Sequence, residues 1–235
     1  MVITNASCPA TVPQRSEVQT TSAYLFPSFK YVPFLPRVSF DSVQALVEGY
    51  LLPTKLHSAH DNLSPIHRDR LLRSPAYQNA LFGVQDVEDI IVLTCGHGGR
   101  DGRCGVMGPV LEEEFMRVLP GFGIEVLEGP VLIDEGKVES QKAIDKPVAP
   151  KLKARTGLIS HIGGHKFAGN VIIYVPKTAK NASNAIHPLA GCGIWYGRVE
   201  PKHVDGIIAQ TILDGVVLED LFRGGINQNG EILRL

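Results

Sequence analysis

The chain has 235 residues, 44% hydrophobic and 20% charged, with a net charge of -1. That length can bury a sizeable core, as one large domain or one domain plus an extension. The even charge balance and the lack of a basic run remove the electrostatic footprint of nucleic-acid binding, and apolar runs such as 171–175 fall far below the roughly 20 residues of a membrane span.

Four cysteines in this length do not make a disulfide scaffold, so the thiols read as ligands, redox groups or buried apolar residues. The first twenty residues lack the positive start and apolar stretch of a signal peptide. They carry one Arg and one Glu and have no amphipathic period, so they do not read as a transit peptide either.

Residues 1–40 are rich in Pro, Ser and Thr. Prolines at 9, 13, 27, 33 and 36 prevent a long helix. Tyr24, Phe26, Phe29, Tyr31, Phe34 and Phe40 suggest an extended arm packed on the chain's own surface. Over 41–57 the spacing of Val43, Leu46, Val47 and Tyr50 predicts a helix, with Asp41 or Ser42 as N-cap. The polar stretch that follows holds His57, His60 and His67. Their spacing is irregular, and the stretch reads as a solvated loop and helix start, not a metal site. Residues 83–88 form a polar lead-in.

The first confident strand is 89–93. It runs into Thr94-Cys95-Gly96-His97-Gly98-Gly99-Arg100-Asp101-Gly102-Arg103-Cys104-Gly105, a glycine-rich loop with two cysteines separated by eight residues. A helix is expected over 109–119, opened by Pro109, with Glu112, Glu113 and Glu114 in its first turn complementing the helix dipole. Residues 124–127 are a second strand candidate. Residues 134–154 read as an exposed charged loop. Next come His161 and His165, which a short helix capped by Thr156 or Ser160 would carry on one face. Strands are expected over 171–175 and 193–199, paired as a hairpin, the second carrying the only Trp, Trp195. A helix opened by Pro201 ends at Gly215, and 218–222 could add a further helical turn.

From residue 89 the order is strand, helix, strand, helix, strand, strand, helix. The first two strands should be parallel, joined by a right-handed crossover. This is the thioredoxin pattern. The fold class is α/β, with an N-terminal extended and helical extension over 1–88 and a thioredoxin-like domain over 89–235.

In such an order the loop after the first strand and the start of the second helix share one end of the sheet. That brings Cys95, Cys104, His161 and His165 together. Two thiolates and two imidazoles suit tetrahedral zinc or a two-iron, two-sulfide cluster. The glycines favour the cluster, because backbone N–H groups can then approach sulfur. His97 is a rival ligand, read as standing behind the ligands. Arg100 and Arg103 are read as steadying the loop and a negative reduced cluster. Cys8 and Cys192 have no assigned role, and Cys192 reads as a buried or spare thiol. Trp195 reads as core or as a cover over the site.

The runs Cys-Gly-His-x-x-Arg-Asp-x-Arg-Cys-Gly-Val-Met-Gly-Pro, His-x-x-Gly-His-Lys-Phe-Ala-Gly-Asn and Trp-Tyr-Gly-Arg-Val resemble the sucrase/ferredoxin-like family and, within it, the fungal altered inheritance of mitochondria protein 32 family. The resemblance implies a thioredoxin-like ferredoxin holding a [2Fe-2S] cluster on Cys95, Cys104, His161 and His165. It implies an electron-transfer or redox-sensing protein rather than an enzyme, with a redox protein as partner, placed in the mitochondrion, the cytoplasm being the alternative. It also implies further sequence upstream of this start. Two imidazoles in place of thiolates make reduction easier, and a potential that falls as pH rises is expected. Two other functions stay open on the residues alone. One is a thiol oxidoreductase using Cys95 or Cys104 with Cys192. The other is a structural zinc module that binds a partner.

Overall fold

The computed structural model describes residues 3–13, 19–133, 152–162, 165–181 and 184–234. Strands β1 (Thr20–Leu25), β2 (Lys30–Pro36) and β3 (Gln85–Asp86) form a three-stranded antiparallel sheet. Helix α1 (Phe40–Leu46) continues as a wider turn over Val47–Leu51, and α2 (Pro65–Asp69) follows. The second sheet holds β4 (Ile90–Cys95), β5 (Glu125–Val126), β6 (Lys153–Ile159), β7 (Val171–Tyr174), β8 (Gly193–Tyr196), β9 (Phe222–Ile226) and β10 (Ile232–Leu233). Helix α3 (Gly102–Val118) lies between β4 and β5. A helical stretch containing α4 (Val204–Gly206) lies between β8 and β9.

The large sheet runs β10-β9-β8-β7-β4-β6-β5. At its centre β4 pairs parallel with β6 and antiparallel with β7, and β7 pairs antiparallel with β8. The order β6-β4-β7-β8, with α3 and the α4 stretch on one face, is the thioredoxin arrangement. Alternation decides the faces. Ile90 and Val92 of β4 point into a core with Leu111, Phe115, Ile207, Ile208 and Ile212 of the two helices. Ile91 of β4 points the other way, to Phe29, Tyr31, Ile159, Ile172 and Tyr174. The aromatic arm is thus a hairpin laid on the second face of the sheet. Phe26 stacks on Tyr174 with ring centroids 3.5 Å apart.

The parallel partner of β4 is β6, not 124–127. That segment keeps only the two-residue edge strand β5. Lys153 and Ala154 begin β6, while 134–151 of the expected loop lie outside the described residues. Arg155 and Gly157 hide β6 from the sequence pattern, and both are accounted for by tertiary contacts. Arg155 pairs with Asp89 at 3.0 Å and donates to the Gly129 carbonyl at 2.8 Å. Gly157 leaves room for Cys8, whose sulfur would stand 2.6 Å from any Cβ there. Thr156 is in mid-strand and Ser160 just past its end, so neither caps a helix.

Helix α3 starts at Gly102, not at Pro109. Its N-cap is Asp101, whose carboxylate accepts from the Arg103 amide at 2.9 Å. Glu112, Glu113 and Glu114 therefore lie in mid-helix, away from the dipole's positive end, and Pro109 is interior. Ser39, not Asp41 or Ser42, caps α1 by accepting from the Ser42 amide. Gly215, at φ +73, ends the α4 stretch as expected. The tail adds a short turn, Glu219–Leu221, and then the unexpected strands β9 and β10. No helix among the described residues is long and apolar enough to cross a membrane.

Candidate metal centre

Cys95 closes β4 and Cys104 sits in the first turn of α3. The Gly96–Asp101 loop folds back between them, so two thiols nine positions apart meet. Their side chains lie close enough for the Cys95 sulfur to act on the Cys104 thiol. Both are buried, Cys95 at 1% and Cys104 at 0% exposure. Burial, and then the neighbouring Cys95 sulfur, pushes the Cys104 thiol up to about 11. The helix N-terminus beneath it acts the other way and favours a thiolate.

The glycines make this contact possible by letting backbone meet backbone. A Cβ on Gly108 would stand 2.5 Å from the Cys95 carbonyl oxygen, and one on Gly105 would stand 2.6 Å from the Gly98 Cα. Both lie far inside van der Waals contact, so α3 reaches the end of β4 only because these positions carry no side chain. Gly105 and Gly108 thus have a packing reason of their own, separate from any approach of N–H groups to sulfur. The Gly108 carbonyl accepts from the Thr94 hydroxyl at 3.2 Å, which fastens the helix to the strand.

His161 follows β6 two residues after Ile159, the parallel partner of Cys95. Its ring lies 6.4 Å, centroid to centroid, from that of His97. So the site end gathers Cys95, Cys104, His161 and His97. His161 precedes any helix and His165 opens the single turn His165–Phe167. The two histidines do not share a helix face. They are presented instead by the strand end and a short turn, because β6 extends through the segment expected to be helical. The side chain of His165 lies outside the described residues. Among the described residues no three His, Cys, Asp or Glu side chains stand close enough to share one metal ion.

The N-terminal arm borders the site. Ala6 bridges Ile159, the Ser7 amide donates to the Leu158 carbonyl at 2.8 Å, and the Ser160 amide donates to the Asn5 carbonyl at 2.8 Å. Residues 5–7 thereby occupy the edge of β6 beyond the end of β5.

Arg103 forms a fork with the Asp101 carboxylate, at 3.1 and 2.8 Å, so it holds the helix cap. Cys192 is half-buried at the start of β8, where its carbonyl accepts from Val175. Cys95 pairs with Asn170, five residues before Val175 at the other end of β7. Five rungs along a strand are roughly 17 Å, which is too far for a disulfide between Cys95 and Cys192. Trp195 is 37% exposed, so it is not part of the core.

Two residues without an expected role stand at this end. The Asn170 carbonyl accepts from the Cys95 amide at 3.0 Å, and its side-chain oxygen accepts from Arg223. Its side-chain nitrogen is buried with no hydrogen-bond partner among the described residues. Arg223 in turn lies over the Phe167 ring at 3.8 Å, with Arg198 and Lys166 at 5.3 and 5.0 Å from the same ring. Asn170 belongs to the run His-Lys-Phe-Ala-Gly-Asn, which is the signal that could have pointed to it. Arg223 lies in a strand that local pattern does not reveal.

The profile of the sucrase/ferredoxin-like family matches residues 1–224. The chain belongs to the sucrase/ferredoxin-like family. Among curated relatives, altered inheritance of mitochondria protein 32 of Meyerozyma guilliermondii is 32% identical over 205 residues, which are 87% of this chain and 56% of that protein. The protein of the same name from Debaryomyces hansenii is 27% identical over 220 residues, 92% of this chain and 64% of that one. The chain thus spans between 56% and 64% of the length of these relatives. Among solved structures, the wild-type thioredoxin-like [2Fe-2S] ferredoxin from Aquifex aeolicus is 16% identical and covers 58% of this chain and 97% of its own, with a TM-score of 0.33. The fold assignment rests on the strand order described above.

Proposed function

We propose that this sucrase/ferredoxin-like chain binds a [2Fe-2S] cluster through Cys95, Cys104, His161 and His165 and serves as an electron-transfer or redox-sensing protein. The observation that carries it is the pair of buried thiols, Cys95 and Cys104, brought into contact by a strand end and a helix start. The residues fit such a group in a second respect. Asn170 keeps a buried N–H donor without a partner one strand away from Cys95, and iron–sulfur sites take hydrogen bonds on sulfur.

When bound, the cluster supplies a one-electron redox centre. The chain's own residues do the rest. Cys95 and Cys104 give up their protons on binding, which makes loading easier as pH rises. Asp101 and Arg103 hold the first turn of α3 so that Cys104 faces Cys95. Burial excludes water from both sulfurs. Thiol exchange between Cys95 and Cys192 is disfavoured by their separation along the sheet.

The names of the curated relatives support a mitochondrial setting. A redox protein as partner belongs to the same reading, and the exposed cations Lys166 and Arg198 beside Phe167 favour an acidic face on it. Iron and acid-labile sulfide analysis of anaerobically purified protein, with an optical spectrum, tests the proposal. Two irons and two sulfides per chain, with visible absorption bleached by dithionite, are expected. A colourless protein with one zinc would replace this reading by the zinc module.

A further inference from the structure

We infer that the Asn170 side chain is a hydrogen-bond donor to sulfur at this site, aimed by Arg223, and that it raises the reduction potential. The inference rests on the [2Fe-2S] reading above and assigns a new positioning residue within it. Register comes first. Thr94 pairs with Val171 across the antiparallel β4–β7 ladder, and the next rung is Cys95 with Asn170, closed by the 3.0 Å bond from the Cys95 amide to the Asn170 carbonyl. Residues opposite each other on such a ladder put their side chains on the same face, with Cβ atoms about 5 Å apart. Asn170 therefore stands beside Cys95 on the same face of the sheet.

Amide orientation comes second. The Asn170 side-chain oxygen accepts from the Arg223 guanidinium. Turning the amide over would set its NH2 against that guanidinium, donor against donor. The NH2 group is thus directed away from Arg223. Arg223 is itself held by its stacking on Phe167. At 2% exposure the NH2 group reaches no solvent, and it has no partner among the described residues. Buried polar groups are hydrogen-bonded as a rule, and an exception marks an acceptor still to be supplied. Sulfur beside Cys95 is that acceptor.

The consequence is electrostatic. With a cluster bound, the sulfurs would be more negative after one-electron reduction by a redox partner, so the Asn170 N–H would donate to them more strongly while keeping its proton. Removing the donor disfavours the reduced state. Asn170→Leu removes it at similar size, and Asn170→Asp removes it while leaving Arg223 a partner.

Both variants, matched to the native protein in iron and sulfide, should show a more negative midpoint potential in redox titration. A tenfold shift in the reduction equilibrium, about 59 mV for one electron, is the expected size. In native protein labelled with [15N]asparagine, pulsed EPR of the reduced cluster should show a weak amide-nitrogen coupling. Fully loaded variants with an unchanged potential would overturn the inference and leave the cluster reading intact. If neither variant loads, the labelled native protein decides, and absence of the coupling overturns it. Native protein without iron would overturn the cluster reading itself.

Discussion

Gly108 lies against Cys95 so closely that a Cβ would stand 2.5 Å from the Cys95 carbonyl oxygen. Helix α3 therefore cannot approach the end of β4 if this position carries a side chain. Gly108→Ala should destabilise the fold by about 1–3 kcal/mol, the usual size of an overpacked contact, and should reduce iron content by displacing Cys95. Gly102 provides the control. A methyl group there would meet nothing within 4 Å, and the residue lies at the start of the same helix, so Gly102→Ala should be neutral or stabilising by up to about 1 kcal/mol. Urea denaturation of both variants measures the difference.

The proposed ligand set makes a spectroscopic prediction. Cys95→Ser and Cys104→Ser should lose most of the visible absorption. His161→Cys and His165→Cys should keep a cluster and lower its potential, because each exchange adds a negative charge to the site. Unchanged spectra and potentials in the two histidine variants would remove those residues from the ligand set.

Stability of the metal-free protein should depend on pH through Cys104. Its thiol is pushed from the ordinary 9.0 up to about 11, so the folded state holds a proton that the unfolded chain has released. The contribution is fully present below pH 9 and is lost as pH rises toward 11. Urea titrations of reduced, metal-free protein between pH 7 and about 10.5 should show this decline, and Cys104→Ala should flatten it.

Packing of the N-terminal hairpin predicts a cost far from the cysteines. Phe26 stacks on Tyr174 at 3.5 Å and meets Phe29 edge-on at 5.0 Å. Phe26→Ala should lose about 3 kcal/mol in denaturant unfolding. A change below about 0.5 kcal/mol would mean that the hairpin does not hold to the sheet in solution.

Lys166 and Arg198 should steer small redox reagents. At low ionic strength hexacyanoferrate(III) should oxidise the reduced protein faster than a tripositive hexaammine complex of matched driving force. Salt should narrow the gap. Lys166→Glu combined with Arg198→Ser should narrow it as well. Equal rates in the native protein would remove the case for an acidic partner face.

Much of the site is legible in the sequence, since Cys95 and Cys104 belong to one strand–loop–helix unit and the order of elements already matches the thioredoxin pattern. Sequence pattern misplaces the start of α3 because Pro109 looks like a first-turn proline, whereas Asp101 makes the cap. It puts His161 at the cysteine end of the sheet but on the wrong scaffold. His-x-x-x-His matches a helical period, and only pairing with β4 makes 153–159 a strand.

What the chain alone determined is local. It includes the cysteine loop and its helix, the apolar strands 90–93 and 171–174, the stop at Gly215, and membership of a family through contiguous motifs. Tertiary structure decided what depends on partners distant in sequence. Arg155 and Gly157 sit in a strand because Asp89, Gly129 and Cys8 complete them. Arg223 meets Asn170 because β9 and β7 both flank β8. Hydrogen bonds and close backbone contacts between residues far apart in the chain leave no periodic trace in a sequence, so only the assembled sheet shows them.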